Sequence, residues 1–171
     1  AEDRARDAVR RLPQLLAFFG VQTGQHVADL MSSRGYFAGA LAEVVGDSGV
    51  VYAHNSPKLL ARYKGSSPIT KRIADGGLTN VHEVVSELEA LPFQPESLDR
   101  VFSFMFYHDT VWVGTDRAAM NRSVFAALKP GGIFGVVDHH ATPGAGTSVA
   151  ETHHRIERSV VVDEVTAAGF R

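Results

Sequence analysis

Cysteine is absent from the 171 residues, which excludes disulfides and thiolate metal sites and leaves the redox compartment open. No apolar run approaches the roughly 18 residues that a membrane-spanning helix needs. Neither sign of charge dominates: 17 Lys and Arg meet 19 Asp and Glu, a formal net charge of −2. A basic footprint for nucleic acid or an anionic membrane surface is therefore missing, and neither is expected as a partner. Gly-x-Gly-x-x-Gly is absent too, which argues against a nicotinamide dehydrogenase. The chain opens Ala1–Glu2–Asp3 without a Met. That fits a trimmed start or a mature end after export, so localisation, cytoplasmic or periplasmic, is left unassigned.

What is present is an ordinary globular composition, 44% hydrophobic and 21% charged, long enough for one domain with its own core. A helical segment is expected over 1–20, ahead of an α/β core over 21–171. Val9, Leu12, Leu15, Leu16 and Phe19 give residues 3–19 a helical stripe, which Pro13 should kink or divide. Val27–Leu30, Val50–Ala53, Val81–Val85, Leu98–Phe106 and Ile133–Val137 read as strands. Helical patterns stand between them, including 57–64 and 68–75 around a Gly65–Pro68 breaker, 115–128 and 157–168. Residues 141–148, rich in Gly, Pro, Ser and Thr, predict a mobile loop. Gly169–Phe170–Arg171 predicts the entry to a further strand. Strands alternating with helices argue a doubly wound, mostly parallel sheet with helices on both faces.

The stretch that organises the chain is His26–Val27–Ala28–Asp29–Leu30–Met31–Ser32–Ser33–Arg34–Gly35–Tyr36–Phe37. It has the form of a strand, a tight turn and a helix N-terminus whose backbone N–H groups can face a ligand. Together with Val51–Asn55, Glu87–Phe93, Leu98–Ser103 and the turn Leu128–Lys129–Pro130–Gly131–Gly132 before an apolar strand, it resembles class I S-adenosylmethionine-dependent methyltransferases over nearly the whole chain. The Asp-Leu-Met of the first motif is similar to a subgroup of predicted bacterial methyltransferases. Those also share runs like Tyr107–His108–Asp109, Asp116–Asn121 and Val137–Asp138–His139.

The resemblance implies a Rossmann-like methyltransferase fold, S-adenosylmethionine as cofactor, and Asp29, Met31, Ser32, Ser33, Gly35, Tyr36, Asn55, Glu87, Leu88 and Ser103 around it. A turn approaching a cofactor this closely favours small side chains. Here only Gly35 matches the family's glycines, with Met31, Ser32, Ser33 and Arg34 at the other places. Asn55 stands where the family carries an acidic ribose ligand; it reads equally as a polar strand-end residue. Glu87 and Leu88 fall where the adenine would lie, Glu87 reading otherwise as a solvated charge. The family's C-terminal strand pair is not accounted for, which leaves the fifth strand open and predicts a homodimer.

Tyr107, His108 and Asp109 follow the fourth strand at the carboxyl edge, where ligands of such sheets bind. His108 or Tyr107 is the expected general base, and all three are candidate catalytic residues. Successive side chains diverge, so at most two can face one pocket. His139–His140 and His153–His154 could join His108 and Asp109 in a His/carboxylate metal site. Adjacent His pairs rarely chelate together and no His-x-x-x-His spacing exists, so no metal is assigned. Asp138 and His139 read as lining the acceptor pocket or sitting in solvent. The function expected is methyl transfer to a small-molecule acceptor. A non-catalytic binding protein of the same fold is the alternative, and a His/Asp metal-dependent hydrolase a more distant one.

Overall fold

The computed structural model describes residues 9–63 and 67–171. The start of the expected first helix and the core of the Gly65–Pro68 breaker lie outside the described residues. Five parallel strands form one sheet: β1 (His26–Leu30), β2 (Val50–Asn55), β3 (Val81–Val85), β4 (Leu98–Phe104) and β5 (Leu128–Val137), in the order β3-β2-β1-β4-β5. The order reverses at β1, so the carboxyl ends of β1 and β4 flank the crevice where ligands of open α/β sheets bind.

The helices are α1 (Leu12–Phe18), α2 (Tyr36–Val45), α3 (Pro57–Arg62), α4 (Pro68–Gly76), α5 (Thr110–Val113), α6 (Arg117–Ala127), α7 (Ala150–His153) and α8 (Arg158–Ala167), with 3₁₀ turns at Leu88–Ala90 and Tyr107–Asp109. Strand residues alternate between two cores, as the period of two requires. Val27, Val51, Ala53, Phe102 and Phe104 face α1, α2 and α4. Ala28, Leu30 and Val101 face α6 and the turns before it, with Val160, Val161 and Val165 of α8 packed alongside. Both faces are covered, which is why β4 is buried from Val101 through Phe104, with Ser103 as the one polar residue there.

Pro13 sits in the first turn of α1, where its missing N–H is harmless. Arg11 ahead of it is left-handed (φ 47°), so the expected long helix is divided there. Val9, counted in the apolar stripe, is exposed. Arg100 closes the other end of α1, donating to the Phe19 and Gly20 carbonyls at 2.9 and 3.2 Å. β5 begins earlier than Ile133: Leu128 pairs with Leu98 and Ile133 with Arg100, so Lys129–Gly132 bulges between them.

Two expectations are corrected. The loop over 141–148 is pinned rather than loose: a Glu157 carboxylate oxygen accepts from the Gly144 and Gly146 N–H groups at 2.9 and 2.8 Å. Those bonds, the Gly146 one foremost, hold the Glu157 pKa below the ordinary carboxylate value. Gly169–Phe170–Arg171 starts no strand; the Phe170 ring packs on Phe125 and Phe134 at 5.0 and 5.7 Å between centroids. Among the described residues, no helix is long and apolar enough to cross a membrane.

Candidate active site

The loop after β1 winds through left-handed backbone three times, at Met31 (φ 53°), Ser33 (φ 53°) and Gly35 (φ 73°). Two of these are not glycine, and each such residue costs on the order of 1–2 kcal/mol. The end of β2 holds them there. The His54 carbonyl accepts from Ser32 N–H at 2.8 Å, and the Asn55 carboxamide oxygen accepts from Ser33 N–H at 2.8 Å. Ser33 Oγ lies 3.0 Å from the Tyr63 hydroxyl.

His54 is fully buried, its Nε2 3.0 Å from the Ser86 carbonyl and its Nδ1 3.5 Å from Met31 N–H. Burial pushes its pKa down to about 4. It is therefore neutral near pH 7, with Nε2–H donating to Ser86 and Nδ1 turned to the loop. Gly35 combines positive φ with close packing against the buried Ile69. A Cβ there would fall 1.8 Å from Ile69 Cδ1.

Asp29, the next-to-last residue of β1, lies beneath this loop, 2% exposed. Burial pushes its pKa up to about 7, against the opposing effect of the Ser32 hydroxyl, which donates at 2.6 Å, and of Ala38 N–H in the first turn of α2. A cationic group beside it would favour the ionised form.

Asp29 and the loop form one end of a cleft of about 430 Å³, within the range of small-molecule sites. Glu87 and Leu88 line its wall beyond β3, and Phe104, Phe106 and Trp112 give it an apolar side. Asp109 lines the side after β4, and Arg34 and Lys58 also border the space. Lys58 Nζ donates to the Val113 carbonyl at 3.1 Å, joining α3 to α5.

Behind Asp109 lies a charged cluster. His108 is 3% exposed, and its Nδ1 lies 2.6 Å from Asp138 Oδ1, while its own N–H donates to Asp138 Oδ2 at 2.8 Å. His108 Nε2 points at Asp109 Oδ1, 3.0 Å away, and at His154 Nδ1, 3.3 Å away. The Trp112 indole N–H donates to Asp109 Oδ1 at 3.1 Å.

Of the residues expected around a cofactor, Asp29, Met31, Ser32, Ser33, Tyr36, Glu87 and Leu88 line the cleft. Gly35 lies under the loop, against Ile69. Asn55 and Ser103 are buried and do not line this cleft: the Asn55 oxygen accepts from Ser33 N–H, and its Nδ2 is buried without a partner among the described residues. Of the candidate catalytic residues, only Asp109 reaches the cleft wall. Tyr107 turns away, its hydroxyl donating to Glu164 Oε2 at 2.9 Å and accepting from Asn121 Nδ2 at 2.8 Å. Burial raises its pKa further above the ordinary phenol value.

Ser56, Lys58 and Trp112 border the cleft unforeseen. Ser56–Pro57 at the end of β2 carried a helix-start signal that pointed there, since the Ser56 hydroxyl accepts from Leu59 N–H at 3.2 Å.

Comparison with known proteins agrees with this geometry. The methyltransferase domain family matches residues 27–132, more than half of the chain. The ubiquinone/menaquinone biosynthesis C-methyltransferase UbiE of Vibrio campbellii is 35% identical over 117 residues, covering 66% of this chain and 40% of the relative. The chain thus spans well under half the length of that relative. An S-adenosylmethionine-dependent methyltransferase from Aquifex aeolicus superposes with a TM-score of 0.76 at 20% identity, over 94% of this chain and 79% of that one. Phosphoethanolamine N-methyltransferase 2 of Haemonchus contortus, solved with S-adenosylhomocysteine, superposes with a TM-score of 0.71 at 20% identity, over 94% of this chain and 37% of that one. The sheet order, the cleft at its carboxyl edge and the family match lead to one assignment: the chain belongs to the methyltransferase domain family.

Proposed function

We propose that this chain transfers the methyl group of S-adenosylmethionine to a small-molecule acceptor. One observation carries the reading: the Asp29 carboxylate, the turned loop and Asp109 line one and the same cleft. The residues fit the cofactor. Asp29 suits the ammonium of its amino-acid end, and Arg34 on the rim suits the carboxylate. The space over Gly35, which a Cβ would fill, lets α2 and α4 close beneath the loop. Leu88 offers an apolar face for the adenine, and exposed Glu87 an acceptor for its amino group.

When bound, the cofactor supplies an electrophilic methyl carbon on a cationic sulfonium. The chain's own part is chiefly positioning. Phe104, Phe106 and Trp112 exclude water and seat an acceptor with an apolar body. Asp109, backed by His108 and Asp138, is the group placed to hydrogen-bond the acceptor and to receive its proton where it has one. Tyr107, engaged with Glu164 and Asn121, serves packing in this reading. The C-methyltransferase relatives act in quinone biosynthesis by name, which is compatible with an apolar acceptor.

Calorimetric titration with S-adenosylmethionine and S-adenosylhomocysteine tests the proposal. Micromolar binding to the wild type, weakened at least tenfold in Asp29→Ala, is expected. No heat at millimolar cofactor from a folded sample would leave a non-catalytic binding protein.

A further inference from the structure

We infer that His108, Asp109 and His154 form a binding site for a divalent first-row transition cation such as Zn²⁺, on the side of the cleft away from Asp29. Three ligand atoms converge there: His108 Nε2 to Asp109 Oδ1 is 3.0 Å, His108 Nε2 to His154 Nδ1 is 3.3 Å, and His154 Nδ1 to Asp109 Oδ1 is 3.5 Å. At metal–ligand bonds of about 2.1 Å, these edges correspond to angles at the ion of roughly 90–115°, between octahedral and tetrahedral. The triangle has the size a bound ion requires, without movement of the backbone.

The surrounding bonds point the same way. Asp138 Oδ1 lies 2.6 Å from His108 Nδ1, so that nitrogen carries the proton and donates. Nε2, on the far side of the ring, faces a carboxylate oxygen and a second imidazole nitrogen, three atoms of the kind that ligate a transition cation. A carboxylate behind a ligating histidine is the usual means of fixing its tautomer and ring orientation. The Asp138 carboxylate is itself held by the His108 and His139 N–H groups at 2.8 and 2.7 Å. His154 is exposed and sits in left-handed backbone (φ 51°) just past α7. Two imidazoles and one carboxylate suit Zn²⁺, Co²⁺ or Fe²⁺ better than Mg²⁺ or Ca²⁺, which prefer all-oxygen shells.

Three protein ligands leave coordination positions for water or for an oxygen of the acceptor. The site stands on the side-chain geometry alone; its use, orienting an acceptor that carries an oxygen ligand, rests on the methyl-transfer reading.

The full chain, stripped with a chelator and dialysed, is titrated with CoCl₂ and followed by visible d–d absorption, then competed with ZnSO₄ and MgCl₂. Saturation at one equivalent, displacement by Zn²⁺ and none by Mg²⁺ are expected. His154→Asn, which removes the imidazole and keeps a residue tolerant of φ > 0, should weaken binding at least tenfold. Asp109→Asn should do the same, and Asp138→Asn should weaken it by about 10–100-fold. His153→Asn, beside the cluster, should leave it unchanged. Circular dichroism verifies the folding of each variant, and His154→Asn decides if a buried variant fails to fold.

No saturable signal, preference for Mg²⁺, or equal affinity in His154→Asn would overturn the inference and leave hydrogen bonds alone among His108, Asp109 and Asp138. Titrating S-adenosylmethionine into the same samples separates the two proposals. Cobalt binding without cofactor binding would sink the methyl-transfer reading and leave the metal site standing; the reverse would sink only the metal site.

Discussion

The two halves of the sheet's carboxyl edge are built by opposite means. On the β1–β2 side the backbone is shaped and neutral side chains hold it: His54 and Asn55 fix a loop with non-glycine residues at left-handed positions. On the β4–β5 side the site consists of imidazole and carboxylate side chains, His108, His154, Asp109 and Asp138, bonded to one another. The difference accounts for the departures in the first motif. Where the family resemblance implies glycine, this chain places Met and Ser and supplies brackets from β2. Asn55 is engaged in that task, fully buried behind the loop with its oxygen on Ser33 N–H and away from the cleft lining, where a ribose hydroxyl would have to reach it.

The largest effect that would break the comparison lies at Gly35. Gly35→Val puts a Cβ into Ile69 at φ 73° and should cost about 3 kcal/mol or more in denaturant unfolding. Gly77→Ala, also at positive φ with nothing within 4 Å of the added Cβ, should cost only about 1 kcal/mol.

Next comes pH, through the two buried groups of the β1–β2 side. Asp29 has a folded pKa of about 7 against an ordinary 3.8. The native state thus keeps its proton longer, and stability falls as pH rises from about 4 to 7. His54 has a folded pKa of about 4 against an ordinary 6.5. Its contribution is present above pH 6.5 and is lost as pH falls toward 4. At about 1.4 kcal/mol per pH unit the amplitudes are at most ~4 and ~3 kcal/mol, and their slopes oppose each other between about pH 4 and 6.5. Unfolding free energy should accordingly rise with pH across that window more steeply in Asp29→Asn than in wild type, and fall with pH in His54→Gln. Parallel curves for all three proteins would contradict the assignment.

A smaller effect is expected at Asn55. Asn55→Ala leaves Ser33 N–H without its acceptor and should cost about 1–3 kcal/mol, with cofactor affinity reduced about tenfold as the loop relaxes. Smallest is Tyr107→Phe. It removes a hydroxyl held by Glu164 and Asn121 and should cost about 1–2 kcal/mol without altering cofactor affinity. A loss of affinity there would bring Tyr107 back into the site.

The fold was legible because each strand–helix alternation carries its own period and because the turn before β5 is distinctive. Boundaries slipped where tertiary contacts overrode local signals. Glu157 pins a loop that composition marks as mobile, and Phe170 prefers an aromatic cluster to a strand. The cofactor end of the site was legible in Asp29, the loop and Glu87–Leu88, since position after a strand fixes which side chains meet the cleft. Asn55, Ser103 and Tyr107 illustrate what position alone cannot supply. Each stands at the right edge, yet its side chain turns into the protein, decided by partners up to 57 residues away, as with Tyr107 and Glu164. The residues of the His108–Asp109–His154 triangle stand among the metal candidates of the sequence, but spacing argued against assigning one, because the third ligand arrives 46 residues later, just past a short helix.

The central claim is that one cleft holds the cofactor between the β1 loop and Leu88, with Asp109 at the acceptor end. A crystal structure of the chain with S-adenosylhomocysteine tests it most directly. The account predicts the amino-acid end against Asp29 and the 31–35 loop, the adenine on Leu88, and the sulfur turned toward the Asp109 side. Density for the ligand elsewhere, or a ligand whose amino-acid end lies away from Asp29, would contradict it.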